Sequence, residues 1–115
     1  GVTAGMDADA MVAVINTGTG RNSATTDKFP NNILPRTFDY GAKMMISFKD
    51  ISLFLDEAAR LGVPLWLAPV VKQVIGLAIA QDGDGNDVTT LVKQYEKRCG
   101  IEIAGAAARK PTSRK

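Results

Sequence analysis

The chain has no histidine and only one cysteine, Cys99, among its 115 residues. One thiol cannot form an internal disulfide. Without histidine, the chain can build neither a Cys/His zinc site nor a Ser-His or Cys-His catalytic pair. Enzyme mechanisms that depend on those groups are therefore excluded. A lone thiol also fits a reducing compartment, so we expect a cytoplasmic protein.

The sequence also lacks a long hydrophobic run and a basic body. No apolar stretch reaches the roughly 18 residues of a membrane helix and no signal-peptide pattern occurs, so we expect no membrane partner. The net charge is +2, but four of the 14 basic residues are Arg109, Lys110, Arg114 and Lys115. The other 10 face 12 acidic residues. Without a basic face on the folded part, nucleic-acid binding is not expected.

What the sequence does contain predicts one folded, all-α domain. Hydrophobic residues make up 45% and charged residues 23%, which is typical of a globular protein of this length. No strand alternation, repeat or heptad array occurs. Helices are predicted at about 8–17, 23–28, 41–61, 65–80 and 88–98. They form an irregular bundle of about five helices with a long central helix. We expect a helical domain over 1–103 and a mobile basic tail over 104–115.

The helix boundaries depend on capping and helix-breaking residues. Asp7 is a natural N-cap for the first helix. Pro30 is expected to stop the second helix, which leaves Asn31 to Thr37 as a loop. Pro69 suits the first turn of a helix, so the apolar run from Leu65 to Ala80 is interpreted as a buried helix and not as a sheet core.

Two of the predicted helices carry more apolar residues than one buried stripe needs. In the helix over 41–61, Ile46 and Leu53 lie well outside the main apolar arc at about 100° per residue. Such an excess indicates a surface that is covered by another part of the protein or by a second copy. Trp66, Met44 and Met45 are interpreted as core residues and not as a recognition surface.

Two short motifs imitate ligand sites. Asp82-x-Asp84-x-Asn86 has the alternating oxygens of an EF-hand, but Asp87 stands where that loop needs glycine and Lys93 where it needs glutamate. Turn formation and helix capping explain these acids better, and no metal site is predicted.

The second motif, Gly18-Thr19-Gly20-Arg21-Asn22-Ser23, suggests a phosphate loop. It follows a helix instead of a strand, and its third glycine is replaced by serine. A plain connector is favoured, although its polar residues could donate hydrogen bonds to an anion near a helix start.

Lys49-Asp50 interrupts the longest helix at its most apolar point. Burying these charges would cost several kcal/mol unless they were paired or bound to a ligand. Alternatively, both lie on the charged arc of the helix and are solvated. Periodicity does not decide between the two.

Several segments, in this order, resemble the C-terminal helical domain of the β-hydroxyacid dehydrogenases. That family includes 3-hydroxyisobutyrate dehydrogenase and is related to 6-phosphogluconate dehydrogenase. The matching segments are Gly5-Met6-Asp7, Val14 to Ser23, Phe48-Lys49-Asp50-Ile51-Ser52-Leu53, Ala58-Ala59-x-x-Gly62-Val63-Pro64-Leu65 and Gly83-x-Gly85-x-Asp87. The likeness covers about residues 5 to 99.

The resemblance implies a domain cut from a two-domain oxidoreductase that uses NAD or NADP. Its Rossmann domain and its catalytic lysine would lie outside this sequence, so no catalytic residue is expected here. Lys49 carries over as a cofactor-binding residue near the nicotinamide, with Asp50 as its local partner. The implied substrate is a short 3-hydroxy acid of the 3-hydroxyisobutyrate, tartronate semialdehyde/glycerate or threonate type. The implied assembly is a homodimer or a higher homo-oligomer.

One position departs from the family pattern. Relatives have Gly-Phe seven to eight residues before the lysine, whereas this chain has Gly41-Ala42. Phe38 or Tyr40 could replace the missing aromatic side chain. An imine reductase or another reductase of the family remains an alternative, and so does a purely structural oligomerisation module in which Lys49-Asp50 is only a solvated pair.

Overall fold

A computed structural model of the protein describes residues 1–109. Its main elements are helix α1 (Ala8–Asn16), a π-helix (Ala24–Ile33), and helices α2 (Met44–Arg60), α3 (Ala68–Asp82) and α4 (Val92–Cys99). Short 3-10 helices cover Val2–Ala4, Val88–Leu91 and Ala106–Ala108. Within this part of the chain, strand pairing is limited to an isolated bridge between Lys43 and Asp87. The predicted all-α bundle is confirmed.

Helix α1 begins where its capping residue predicts. The Asp7 carboxylate accepts a hydrogen bond from the backbone N–H of Ala10 at 3.0 Å, which satisfies a donor that the first helical turn leaves free. The buried face of α1 contributes Ala8 and Val12 to a first core cluster with Leu34. This cluster joins α1 to the end of the π-helix.

The second helix differs from its prediction because it continues through Pro30 to Ile33. Hydrogen bonds in a π-helix reach five residues back, as from the Leu34 N–H to the Phe29 carbonyl at 2.8 Å. The wider turn moves the proline ring away from the carbonyl that it would meet in an α-helix. The predicted loop, Asn31 to Thr37, therefore loses its first three residues to the helix. The segment after Ile33 includes two residues with positive φ, Arg36 at 65° and Phe38 at 50°.

Helices α2 and α3 form a hairpin around a second core cluster. Its buried members are Met44 from α2 and Ile75 and Ala78 from α3. Gly76 allows a close approach, since a Cβ atom there would lie 3.3 Å from the Phe48 ring. The apolar run from Leu65 is a helix as predicted, with Pro69 in its first turn. Helix α2 starts at Met44 and not near Gly41, because Gly41 has a φ of 97°.

The molecule is elongated, with principal extents of 63 × 33 × 25 Å. Its radius of gyration is 16.3 Å, whereas a compact chain of this length has about 13 Å. Much of the α2–α3 hairpin is exposed, and we call its exposed apolar residues the outer face. They are Met45, Ile46, Leu53, Phe54, Leu61, Val63, Trp66, Leu67, Val70, Val71 and Leu77. The core role predicted for Met44 is confirmed. The core roles predicted for Met45 and Trp66 are wrong, because both side chains are exposed in the described part of the chain.

Residues 104–109, predicted as the start of a mobile tail, instead attach to the helical body. The Gly105 N–H donates to the Leu34 carbonyl at 2.9 Å, and the Ala106 N–H donates to the Asp9 carboxylate at 2.6 Å. Gly105 fits because a side chain there would collide with Asp9. Residues 110–115 of the predicted tail lie outside the described residues. Among the described helices, none is long and apolar enough to cross a membrane.

Candidate functional site

Lys49 lies in the second turn of α2, on the side that faces away from α3. Its Nζ atom is 2.9 Å from Oδ1 of Asp50, and both side chains are 62% exposed. A surface ion pair of this kind contributes at most about 1 kcal/mol to stability. Of the two interpretations of Lys49-Asp50, the structure of this chain shows the solvated one. The ammonium group is therefore accessible.

The surroundings of Lys49 are not simply polar. Ile46 precedes it by three residues and Leu53 follows it by four, and both are exposed. Residues at these spacings are neighbours on a helix surface. Lys49 therefore provides three N–H donors on a surface with apolar side chains on either side. Such a surface suits a partner group that is partly apolar and carries acceptor oxygens.

The chain entering α2 is held by the turn that precedes the 3-10 helix Val88–Leu91. The Met44 N–H donates to the Asn86 carbonyl, and the Val88 N–H donates to the Ala42 carbonyl, both at 2.8 Å. The Gly41 N–H donates to Oδ2 of Asp87, also at 2.8 Å. These contacts join segments more than 40 residues apart. Sequence reasoning found Asp87 only as a helix cap, and no local pattern signals its second role.

The two aromatic residues considered as substitutes at Ala42 both have cationic partners. Phe38 lies between Lys93, 4.3 Å from the ring centre, and Arg36 at 4.9 Å. The Lys28 ammonium lies 4.5 Å from the centre of the Tyr40 ring. Among the described residues, the cations that lie over these two rings do not include Lys49.

The glycine-rich loop over 18–23 is a connector with a cap at its end. Oδ1 of Asn22 accepts from the N–H groups of Ala24 at 2.8 Å and Thr25 at 3.2 Å. The Asn22 N–H in turn donates to Oγ1 of Thr25 at 3.0 Å. Asn22 therefore accepts hydrogen bonds from N–H groups at the start of the π-helix, which an anion would also need. The loop connects α1 to the π-helix.

The acidic turn also serves capping. Oδ1 of Asp87 accepts from the Thr89 N–H at 3.0 Å, which starts the 3-10 helix. Burial raises the pKa of Asp87, but hydrogen bonds from Thr89 and Gly41 outweigh this and leave it lowered. A hydrogen bond from Lys97 is the main cause of the lowered pKa of Asp82. In the described part of the chain, no three acidic or cysteine side chains come together as metal ligands would.

A family model described as NAD-binding of NADP-dependent 3-hydroxyisobutyrate dehydrogenase matches residues 1–95. The chain belongs to this family. A search of curated proteins finds no match. The 3-hydroxyisobutyrate dehydrogenase family consists of NAD(P)-dependent dehydrogenases, so the match supports this cofactor at the level of the family.

The residues of this chain fit a limited part of a dinucleotide site. A dinucleotide-binding fold of the Rossmann type is built on a parallel sheet whose first turn holds the pyrophosphate. Residues 1–109 form helices and one isolated bridge, and their glycine-rich loop is occupied by a helix cap. The described residues therefore lack a Rossmann-type phosphate turn, and Lys49 is one of their accessible cationic groups.

Arg36 and Glu96 form a polar network that the sequence does not reveal. Nη1 of Arg36 is 2.5 Å from Oε1 of Glu96 and 3.0 Å from the Ile103 carbonyl, while the Ile103 N–H donates to Glu96 at 2.8 Å. Burial raises the pKa of Glu96, but Arg36 and the Ile103 N–H outweigh it and lower the pKa overall. The hydrogen bond with Glu96 also raises the pKa of Arg36. This network is structural and joins the segment after the π-helix to α4 and to Ile103.

Proposed function

We propose that the chain is the C-terminal helical domain of an NAD(P)-dependent oxidoreductase that acts on a short 3-hydroxy acid. It would cap the substrate against a separate Rossmann domain, with the catalytic lysine on an interdomain helix outside this sequence, and it would be inactive alone. The substrate would be of the 3-hydroxyisobutyrate, tartronate semialdehyde/glycerate or threonate type. A relation to 6-phosphogluconate dehydrogenase is part of the same proposal. Family membership and the helical content of residues 1–109 support it.

The observation that carries this proposal is the accessible ammonium of Lys49 between exposed Ile46 and Leu53. NAD(P), when bound, supplies or accepts the hydride of the reaction. Lys49 would donate hydrogen bonds at the nicotinamide end of the cleft. Its positive charge would also favour a substrate carboxylate nearby and lower the pKa of a neighbouring lysine. Asp50 would keep the Lys49 side chain in place through the pair seen at 2.9 Å.

The outer face of the hairpin supports the second part of the proposal, assembly into a homodimer or a higher homo-oligomer. Trp66 is 84% exposed and Leu67 is 80% exposed. A large aromatic side chain alone buries roughly 150–250 Å². A stable interface needs about 800 Å² per partner, and the exposed outer-face residues would contribute to it. A second copy of the hairpin would cover apolar surface that the chain itself leaves in water.

The function is tested by joining the chain to its Rossmann domain and measuring oxidation of 3-hydroxy acids with NAD and with NADP. We expect turnover by the joined protein and none by the chain alone. Lys49→Ala should raise the KM for the cofactor and lower kcat by about tenfold or more, which corresponds to about 1.4 kcal/mol of lost interaction. Lys97→Ala is a matched control, because Lys97 is also an exposed, ion-paired lysine.

Unchanged kcat and KM in Lys49→Ala would contradict the proposed role of Lys49. Turnover of a cyclic imine with NADPH, without oxidation of any 3-hydroxy acid, would identify an imine reductase instead. The exposed outer face also favours a purely structural oligomerisation module as a second function. That function would be supported if variants of the outer face dissociated the protein while Lys49→Ala had no effect on turnover.

A further inference from the structure

The start of α2 is fixed from two sides. Inside the hairpin, the Met44 side chain is 1% exposed and packs against Ile75 and Ala78 of α3. Outside it, Asp87 receives the Gly41 N–H at 2.8 Å. Gly41 has a φ of 97°, a backbone conformation that glycine adopts easily. The Asp87 bond therefore constrains the backbone at Gly41, ahead of the two backbone hydrogen bonds that hold Ala42 and Met44.

Asp87 uses its two carboxylate oxygens for different purposes. Oδ1 accepts from the backbone N–H of Thr89 at 3.0 Å and from its hydroxyl at 2.5 Å, which caps the 3-10 helix. Oδ2 accepts from Gly41 and so reaches the segment that leads into α2. One side chain thus combines a local cap with a contact 46 residues away. The two roles can be separated by substitution.

We propose that Asp87 is a positioning residue for Lys49, because, together with the backbone hydrogen bonds of Ala42 and Met44, it fixes the entry to α2 and therefore where the Lys49 ammonium lies against the cofactor. This inference rests on the proposed function. Lys49 is five residues beyond Met44, which places it about 7.5 Å further along the helix. A change in the entry to α2 moves Lys49 with the helix. Shifts of about 1 Å at a positioned group can cost a large factor in rate.

Asp87→Asn separates the two roles. Asparagine caps helices about as well as aspartate, so its carbonyl oxygen can still accept from Thr89. Its amide group would then face the Gly41 N–H, and two donors cannot bond to each other. Asp87→Ser makes the same test through a different side chain, since serine also caps but is too short to reach Gly41 as well.

Two controls complete the set of variants. Thr89→Val removes the hydroxyl that donates to Oδ1 and leaves the Gly41 contact intact. Asp84→Ala removes a negative charge from the exposed part of the same turn. If weakening the contacts at Oδ1, or losing any negative charge from this turn, were enough to raise the KM, these controls would reproduce the effect of Asp87→Asn.

The measurements use the chain joined to its Rossmann domain. Losing one hydrogen bond of ordinary strength should raise the cofactor KM about threefold to tenfold in Asp87→Asn and Asp87→Ser. Thr89→Val and Asp84→Ala should leave the KM within about twofold of the parent, while Thr89→Val lowers the melting temperature at least as much as Asp87→Asn. An equal rise in KM in Thr89→Val would overturn the proposal.

The decisive comparison adds Lys49→Ala. If Asp87 acts through Lys49, Asp87→Asn should raise the cofactor KM no further in a chain that already carries Lys49→Ala. If Lys49→Ala raises the KM and Asp87→Asn multiplies it again by the same factor as in the parent, the positioning role is wrong while the proposed function stands. If Lys49→Ala itself changes nothing, both are wrong.

Discussion

The two core clusters of this molecule lie in regions that differ in how much of their surface the rest of the chain covers. The compact half, made of α1, the π-helix, α4 and residues 101–109, combines apolar contacts around Val12 with the Arg36–Glu96 network. Its terminal segment also closes back on Asp9. The α2–α3 hairpin has one buried cluster around Met44, and its outer face remains in water.

This difference separates residues that serve folding from residues that serve a partner. In the compact half, the charged side chain of Glu96 binds distant parts of the same chain, namely Arg36 and Ile103. In the hairpin, Lys49 contacts only its neighbour in sequence among the described ion pairs. The hairpin therefore carries the exposed apolar residues and the accessible lysine on which the proposed function rests.

The largest effect on stability is expected at Met44, in the buried core cluster of the α2–α3 hairpin. Met44→Ala should lower the free energy of unfolding by about 2–5 kcal/mol, because it leaves a cavity at a fully buried position. Met45→Ala is the control, since the adjacent Met45 is 38% exposed and should cost less than about 1 kcal/mol. Urea denaturation measures both. Equal costs would mean that the hairpin has no core of its own.

In the compact half, the free energy of unfolding should depend most strongly on a polar contact, the Arg36–Glu96 pair. Glu96→Gln should lower the free energy of unfolding by about 2–3 kcal/mol at pH 7, because it leaves the partly buried Arg36 without its charged partner. Glu102→Gln should cost less than about 0.5 kcal/mol, since Glu102 is exposed and 3.8 Å from Arg36. If Glu96→Gln proved as mild as Glu102→Gln, the network would not stabilise this half.

Glu96 should also make the stability of the chain depend on pH in the acid range. The pKa of Glu96 is lower in the folded chain than the value of about 4.3 expected in the unfolded chain. Its stabilising contribution is therefore present above about pH 4.3 and disappears as the pH falls through the folded pKa. The stability difference between the parent and Glu96→Gln should narrow over that interval. A difference that stayed constant from pH 7 to pH 3 would contradict this assignment.

A smaller effect is expected where the terminal segment closes on α1. A Cβ atom at Gly105 would lie 2.3 Å from Oδ1 of Asp9, so Gly105→Ala must displace the carboxylate that accepts from Ala106. We expect a loss of about 1 kcal/mol in thermal denaturation. In an Asp9→Ala background, Gly105→Ala should cost nothing further. Gly85→Ala is the control, because a Cβ atom there meets nothing within 4 Å.

The smallest effect on folding, with a large effect on assembly, is expected on the outer face. Leu53→Glu replaces an exposed side chain and should change the free energy of unfolding of the monomer by less than about 0.5 kcal/mol. It should nevertheless dissociate the oligomer in sedimentation equilibrium, because the interface would bury an unpaired charge. Tyr95→Glu, at an exposed aromatic residue of the compact half, should leave the oligomer intact. The opposite pattern would move the interface to the compact half.

The parts of the fold set by local sequence could be predicted. The Asp7 cap, the helical run after Leu65 and the cap role of Asp87 depend on neighbours within a few residues, and the structure has all three. The continuation of the π-helix through Pro30 could not be foreseen, because the proline rule assumes α-helical hydrogen bonding. Arg36–Glu96 and Asp87–Gly41 join residues 60 and 46 positions apart, which no periodicity records.

For the candidate site, the sequence identified Lys49 and its partner Asp50 but not their exposure. Helical periodicity placed Lys49 on an arc that also carries charges, and whether that arc is buried depends on what covers it. Within the described residues, nothing covers it. The aromatic side chain missing at Ala42 was sought at Phe38 and Tyr40, whose rings associate with other cations. Those contacts depend on the turn after the π-helix, which has no local signature.

The most direct test of the central claim, that Lys49 faces the cofactor, is chemical protection. The chain joined to its Rossmann domain would be labelled with an amine-reactive acetylating reagent, with and without NADP or NAD, and each lysine quantified by mass spectrometry. Lys49 and Lys97 start from similar exposure, 62% and 59%, and both are ion-paired. The account predicts that the cofactor slows labelling of Lys49 at least about fivefold, as expected for a bound site, and leaves Lys97 unchanged. Equal labelling of Lys49 with and without saturating cofactor would contradict it.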